Sequence, residues 1–385
     1  MKMKTFIKIM SFLLVISYSL INNLYSQEKI KIGLIIPLSG EYSLIGESIL
    51  KSTRLAINKI NDNKIEIFPR DTKSNPVQTL EVSKELHRLG INVIIGPVFN
   101  ENVELLNQLD EVTFISFTNK INQNPKNVIS SGVNAISQIK TIKRFQSKLG
   151  LERSIFLIPN SNYRNELEKA IEETKIKLKD KFVYDIDPTI LTGQIEKLTR
   201  YKQRKENLLA EIKKVENSEE TNKTRKIENL KKRDTLGGIN FDSVIIGDFD
   251  ENLKSVATSL LYTDVSSERV TYITLNQWFD ESLIKETSLQ PIYFPSVNKK
   301  NYDEFKKLYY DNYKEQPNQI SFLSYDLIGL IYFLAYQNDF KLDKRIFFNK
   351  SKFKGKIGIF EINKNTITHQ LNLYEVNKEG FKKIF

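Results

Sequence analysis

The residues best suited to act on another molecule fall into three short runs, each following an apolar stretch: Ser39, Gly40, Glu41 and Tyr42; Gly96, Pro97, Phe99 and Asn100; and Phe117, Thr118 and Asn119. Hydroxyls, amides and turn-forming glycine hold a polar molecule by hydrogen bonds; they do not by themselves break its bonds. Bond-breaking needs a nucleophile with a base, or a metal, and the sequence offers little of either. There are only two histidines, His87 within an amphipathic helical pattern and His369 in a terminal strand pattern, and neither lies beside a nucleophile or at metal-ligand spacing. Both read as surface histidines. There is no cysteine, which removes thiol catalysis, disulfides, thiolate metal sites and a lipid-attachment cysteine. No Gly-x-Ser-x-Gly elbow, phosphate-binding Gly-x-x-x-x-Gly-Lys loop, Gly-x-Gly-x-x-Gly turn or His-Glu-x-x-His pair occurs. Paired acids of a glycosidase are not singled out by any spacing, so an envelope hydrolase is the low-ranking alternative. The expectation is a binding protein with no catalytic residues, metal or cofactor.

The elements that would position these runs alternate. Lys31–Ile36 has strand character and is followed by a helical pattern to Ile60; Ile65–Phe68, a helix over 77–89, Val93–Ile95, a short helix and Val112–Ile115 come next. A second series has a helix over 135–149, Ile155–Ile158, a helix over 162–178 and Phe182–Tyr184, then Val244–Ile246 and Val270–Ile273. Strands alternating with helices indicate βαβ units, hence an α/β fold of two doubly wound parallel-sheet lobes. Ligands in such sheets bind beyond the carboxyl ends of the strands, where the three runs lie. Helices over 302–313 and 321–336 follow, and Ile357–Phe360 and Leu371–Val376 around Asn363-Lys364-Asn365 read as a closing antiparallel hairpin. Residues 194–234 break the rhythm with interleaved Lys, Arg and Glu and apolar residues near helical spacing. This is a charged helical insertion interrupted near Asn217-Ser218, either a solvated hairpin or a docking arm.

The chain begins with Lys2, Lys4 and Lys8, an apolar run from Ile9 to Ile21, and a polar stretch ending Leu24-Tyr25-Ser26. That is the build of a secretory signal peptide, too short to span a bilayer, with cleavage expected near Ser26 and Gln27 as the mature N-terminus. The expected location is the periplasm, with no stable membrane insertion after cleavage. The formal charge of +11 could attract phosphates, but Ile, Lys and Asn are abundant throughout and export separates the protein from nucleic acid, so no nucleic-acid partner is expected.

The run Ile32–Gly40 with Gly46, then Asp71-Thr72, Ile94-Ile95-Gly96-Pro97 and Ser324-Tyr325-Asp326, resembles type I periplasmic binding proteins of the branched-chain amino-acid group, with Leu327 where that group has alanine. Within this superfamily Phe117-Thr118-Asn119, the charged insertion leading into Asp234-Thr235 and Phe241-Asp242-Ser243-Val244, Gln277-Trp278-Phe279-Asp280 and Phe353–Gly358 are similar to the penicillin-binding protein activators of alphaproteobacteria. The resemblance implies two lobes joined by a hinge, one made of residues 27–142 and 280–350, the other of 143–279 and 351–385 with the insertion. It implies a small polar ligand, such as an amino acid or peptide, in the interlobe cleft. The three runs, Ser39, Tyr42, Asn100, Phe117, Thr118 and Asn119 above all, would hold its carboxylate, while Tyr163 and Asp248 would be the aromatic residue and acid for its ammonium group. Asn100, Phe117 and Lys120 stand where amino-acid receptors carry small residues and hydroxyls, which favours the activator form. The implied partner is a peptidoglycan synthase or, in the alternative, an ABC permease. Trp278 reads as partly buried core, and Tyr325 and Asp326 as the opening of a helix.

Overall fold

The computed structural model describes residues 29–122 and 124–385; the signal-peptide expectation lies outside them. The first strand, β1 (Ile30–Ile36), has Ile32, Leu34, Ile35 and Ile36 all buried, as a parallel strand covered on both faces requires. It leads through Ser39 and Tyr42 into α1 (Ser43–Ile60), then β2 (Ile65–Asp71), α2 (Pro76–Arg88), β3 (Val93–Ile95), a 3-10 helix (Asn100–Gln108), β4 (Thr113–Ser116) and β5 (Val128–Ser130). The chain crosses over into α3 (Ala135–Leu149) and runs β6 (Ser154–Pro159), α4 (Arg164–Thr174), β7 (Asp180–Tyr184), α5 (Pro188–Thr199), α6 (Tyr201–Glu216), α7 (Lys223–Lys231), β8 (Ser243–Ile246), α8 (Asp250–Tyr262), β9 (Thr271–Thr274), α9 (Ser282–Lys285) and β10 (Ile292–Ser296). It returns through α10 (Lys299–Tyr313), α11 (Ser321–Gln337), α12 (Lys344–Phe348), β11 (Ser351–Lys354), β12 (Ile359–Asn363) and β13 (Thr366–Gln370), and crosses a third time to β14 (Asn372–Asn377) and β15 (Gly380–Lys383).

Two sheets result, in the orders β11-β12-β13-β5-β4-β3-β1-β2 and β15-β14-β10-β9-β8-β6-β7. Within each, β1 to β5 and β6 to β10 pair in parallel; β13 joins β5 in parallel and carries β12 and β11 antiparallel, while β14 joins β10 and β15 antiparallel. The expected fold class is therefore present. Lobe membership differs from expectation late in the chain: β10 belongs to the second sheet, while β11 to β13 belong to the first. The expected closing hairpin also changes partner. β12 pairs with β13 across Asn363 and Thr366, and β14 leaves for the other lobe, pairing with β10. Strand character is local, but the choice of sheet is a long-range pairing that periodicity does not encode.

Polar caps start the helices that frame the crossovers. Asn75, Asn134, Asp187 and Asn298 accept backbone N–H groups at the N-termini of α2, α3, α5 and α10, with Pro76 and Pro188 in the first turns of α2 and α5. Gly46 lies so close to Pro37 that a Cβ would sit 1.7 Å from its carbonyl oxygen, so only glycine lets α1 approach β1. Small residues also join α1 to α11: Ser52 Oγ donates to Ser321 O (2.6 Å) and Ser324 Oγ to Ile49 O (3.3 Å). The helix α11 is apolar nearly all round because it is buried, and Asp326 lies in its second turn, not at its start. Its carboxylate accepts N–H bonds from Lys356 and Ile357 (2.7 Å each), pinning the β11–β12 turn. Tyr325 is half-buried beside Phe305.

The insertion begins later than expected. Leu191 and Ile195 are buried in the main core, so 194–200 is lobe structure, and the helical hairpin proper is α6 and α7. The hairpin closes over a small core of Leu208, Val215 and Leu230 and is fastened by Arg204, which donates to Thr263 O (3.0 Å) and Thr235 Oγ1 (2.6 Å) and pairs with Asp264 (3.2 Å). Among the described residues no helix is long and apolar enough to cross a membrane.

Candidate functional site

The order of the first sheet reverses between β1 and β3, and the loops after these strands and after β4 converge at the switch point, where doubly wound sheets bind ligands. Tyr42, at the start of α1, packs its ring 4.7 Å from that of Phe99. Asn100 opens the 3-10 helix and its Oδ1 accepts from Thr118 Oγ1 (3.4 Å). The turn after β4 is locked from within: Ser116 Oγ donates to Pro97 O (2.9 Å) and accepts from Thr118 N (3.2 Å), while Thr118 Oγ1 accepts from Lys120 N (3.1 Å). Gly132, on the first crossover, passes so near this turn that a Cβ would lie 2.7 Å from Asn119 N.

Tyr42, Asn100, Phe117, Thr118 and Asn119 thus line one wall of a cleft of about 460 Å³, joined by Lys120, Gln319 and Trp278. Ser39 stands at the rim and outside the lining, its Oγ donating to Asp71 Oδ2 (2.5 Å). Burial alone would raise the Asp71 carboxyl, but hydrogen bonds from Ser39, Lys73 N and Leu38 N outweigh it and hold the group below the usual carboxylate range.

The second wall departs from the expectation. Asp248 is 7% exposed and turned inward, accepting from Tyr184 Oη (2.7 Å) and Phe249 N (3.0 Å). Burial pushes the Asp248 carboxyl and the Tyr184 hydroxyl up together. Tyr163 lies in the second-lobe core, its ring 6.2 Å from that of Phe249 and its hydroxyl buried, with burial raising that hydroxyl as well. Neither residue lines the cleft. At these two positions the side chains turn under the surface, which a reading by position could not see.

Trp278 borders the cleft on this side instead. It is half-buried, with φ at +47°, and its indole lines the cleft beside Tyr302, 6.1 Å away. Its backbone N–H is fixed by Asn276 Oδ1 (3.0 Å), which also accepts from Ser296 Oγ (2.8 Å). The reading of Trp278 as partly buried core holds, since it packs against the main core; in addition it borders the cleft, for which its place after β9, in Gln277-Trp278-Phe279-Asp280, was the available signal.

At the far side of the cleft three crossovers are tied to one another. Asn134 Nδ2 donates to Ile367 O (2.7 Å), Ser137 Oγ accepts His369 N (2.8 Å), and Tyr374 Oη donates to Val297 O (3.0 Å) while accepting Lys299 N (2.8 Å). His369 is buried here, contrary to its surface reading. Its Nε2 meets Ser131 O at 2.8 Å, which fixes the Nε2–H tautomer, and burial pulls its pKa down to about 4. His87 is half-buried with Nδ1 2.7 Å from Asn92 Oδ1. Glu166, also unforeseen, reaches from α4 to accept N–H bonds from Ile121 and Asn122 (3.1 Å each), holding the strip between β4 and β5 against the second lobe. Among the described residues no group of three or more His, Asp or Glu is placed to hold a metal.

This geometry is a hinged, two-lobed binding cleft. Residues 29–185 match the model of the periplasmic binding protein family. No curated protein matches the sequence. Solved structures match nearly the whole chain at low identity. The putative branched-chain amino acid ABC transporter protein of Rhodospirillum rubrum superposes with a TM-score of 0.68 at 10% identity, covering 92% of this chain and 100% of that one. The LpoA C-domain of Haemophilus influenzae, a regulator of PBP1A, gives 0.60 at 12%, over 92% and 100%. LivJ of Streptococcus pneumoniae, a branched-chain amino acid transporter substrate-binding protein in complex with isoleucine, gives 0.54 at 17%, over 92% and 98%. The chain has the fold of the type I periplasmic binding proteins.

Proposed function

We propose that this protein is a non-catalytic receptor of the bacterial envelope, exported to the periplasm, which binds a small polar ligand between its lobes and regulates cell-wall synthesis in the manner of a penicillin-binding protein activator. The observation that carries the reading is the commitment of Asp248 to Tyr184 and Phe249. The acid expected to meet a ligand ammonium group is spent inside the second lobe on Tyr184 and Phe249 N and is not offered to the cleft from that position. The likeness to the LpoA C-domain supports the same reading. Closure of the lobes about the three crossovers would change the outer surface offered to a peptidoglycan synthase. Mixing the purified protein with the peptidoglycan synthase of the same cell and following glycan polymerisation tests this; a raised rate is expected, and an unchanged rate without complex formation would sink it. The second reading, delivery of a solute to an ABC permease, is favoured by the likeness to LivJ with its bound isoleucine. In that case free amino acids should raise the melting temperature.

A further inference from the structure

The cleft extends beyond the space between Tyr42 and Trp278. Through Asn100 and Lys120 it continues into a trough of about 350 Å³ walled by Asn122, Asn162 and Asn165. Through Trp278 and Gln319 it continues the other way into a trough of about 480 Å³ walled by Asn276 and Gln277. Ligand sites for drug-sized molecules span roughly 300–1,000 Å³, so each compartment alone approaches that class and three in a row exceed a single amino acid.

The lining is of one chemical kind. Carboxamides recur along its length, and a carboxamide is the side chain that offers a planar acceptor and donor together, the match for neighbouring hydroxyls that donate and accept at once. Tyr42, Phe99 and Trp278 supply aromatic faces for the C–H faces of rings. The charged groups along the three compartments are Glu101, Glu166, Glu168, Asp250 and Asp280 against Lys120, which disfavours a polyanion despite the basic chain.

One amide is already set for a ligand. Asn276 is 4% exposed, and its Oδ1 accepts from both Trp278 N and Ser296 Oγ, so the orientation of its amide is fixed. Its backbone N–H donates to Gln138 Oε1 (2.8 Å), and among the described residues its Nδ2 has no partner. This fixed donor without a protein partner lies just under the trough wall beside Trp278, where a small shift of the wall would bring it to an acceptor.

We propose that the groove binds a neutral saccharide of more than one ring, stacked on Trp278 and accepting a hydrogen bond from Asn276 Nδ2. This rests on the receptor reading above and names its ligand class. Because Trp278 is the only tryptophan, its emission reports the groove directly. The purified protein is titrated with N-acetylglucosamine, its β-1,4 trimer, maltotriose and L-leucine, following that emission, with calorimetry for affinity. The expected result is a shift with a trisaccharide and at least tenfold tighter binding than the monosaccharide. Asn276→Asp keeps both accepting contacts and loses the donor, and should weaken trisaccharide binding about tenfold. Gln319→Ala, at an exposed position shared by two compartments, should weaken it several-fold and guards against a folding defect in the first variant. A response to leucine but to no saccharide overturns the saccharide proposal and leaves the receptor reading standing. Silence with every probe overturns both. Saccharide binding that ignores both variants and leaves the emission unchanged overturns the assigned site.

Discussion

The cleft surface and the hinge behind it use the same residue types for opposite work. In the cleft, Tyr42, Asn100, Asn119 and Gln319 present polar groups toward open space, whereas at the hinge Asn134, Ser137, His369 and Tyr374 spend theirs on one another's crossovers. Asp248 and Tyr184, just under the second wall, behave like the hinge. Burial decides the difference: a polar group removed from water must find a partner within the protein, while one at the surface remains available to a ligand. Hinge changes should therefore move stability and leave intrinsic affinity alone, and cleft changes the reverse.

The largest expected effect is on pH dependence. With its pKa pushed down to about 4 by burial, His369 contributes stability that is fully present above its unfolded value and is lost as pH falls through 4. The shift corresponds to about 3 kcal/mol. Asp326 opposes it. Its carboxyl is raised to about 6 by burial, so its contribution is present below the unfolded value and is lost as pH rises through 6. His369→Gln should therefore make the protein relatively more stable at pH 4 than at pH 7, by about 3 kcal/mol compared with the parent, in urea titrations across that range. Identical pH profiles for parent and variant would place His369 outside the buried hinge.

Asp248→Ala comes next. It strands the buried Tyr184 hydroxyl and should cost about 2 kcal/mol by urea denaturation, with ligand affinity per folded molecule unchanged. A loss of affinity without a loss of stability would return Asp248 to the cleft. Asn134→Ala removes both the cap of α3 and the tie to Ile367 O and should lower stability by about 1.5 kcal/mol in the same measurement. On the other side, Tyr42→Ala should leave the melting temperature within a degree or so, since the ring is exposed at 40%, and weaken ligand binding roughly tenfold, about 1.4 kcal/mol, by calorimetry. If Tyr42→Ala unfolds the protein, the division between the two regions fails.

The first wall was legible because its residues follow directly on parallel strands whose order reverses at the switch point, so position in the chain fixed position in space. The second wall was not. Tyr163 and Asp248 occupy the corresponding positions, yet their side chains point into the second lobe, and Trp278, Asn276 and Glu166 take the cleft and the interlobe contact. His369 could not be assigned, because its burial depends on Ser131, more than two hundred residues earlier, and no local pattern records that pairing.

By itself the sequence determined the alternation of strands and helices, the two parallel-sheet lobes, the charged hairpin and the loops that line one wall of the cleft, all of which follow from short-range periodicity and turn chemistry. Tertiary structure alone decided which sheet each late strand joins, where the three crossovers bind one another, and which polar side chains face the groove. Those outcomes depend on long-range pairing and on the exclusion of water, which act between residues far apart in the chain.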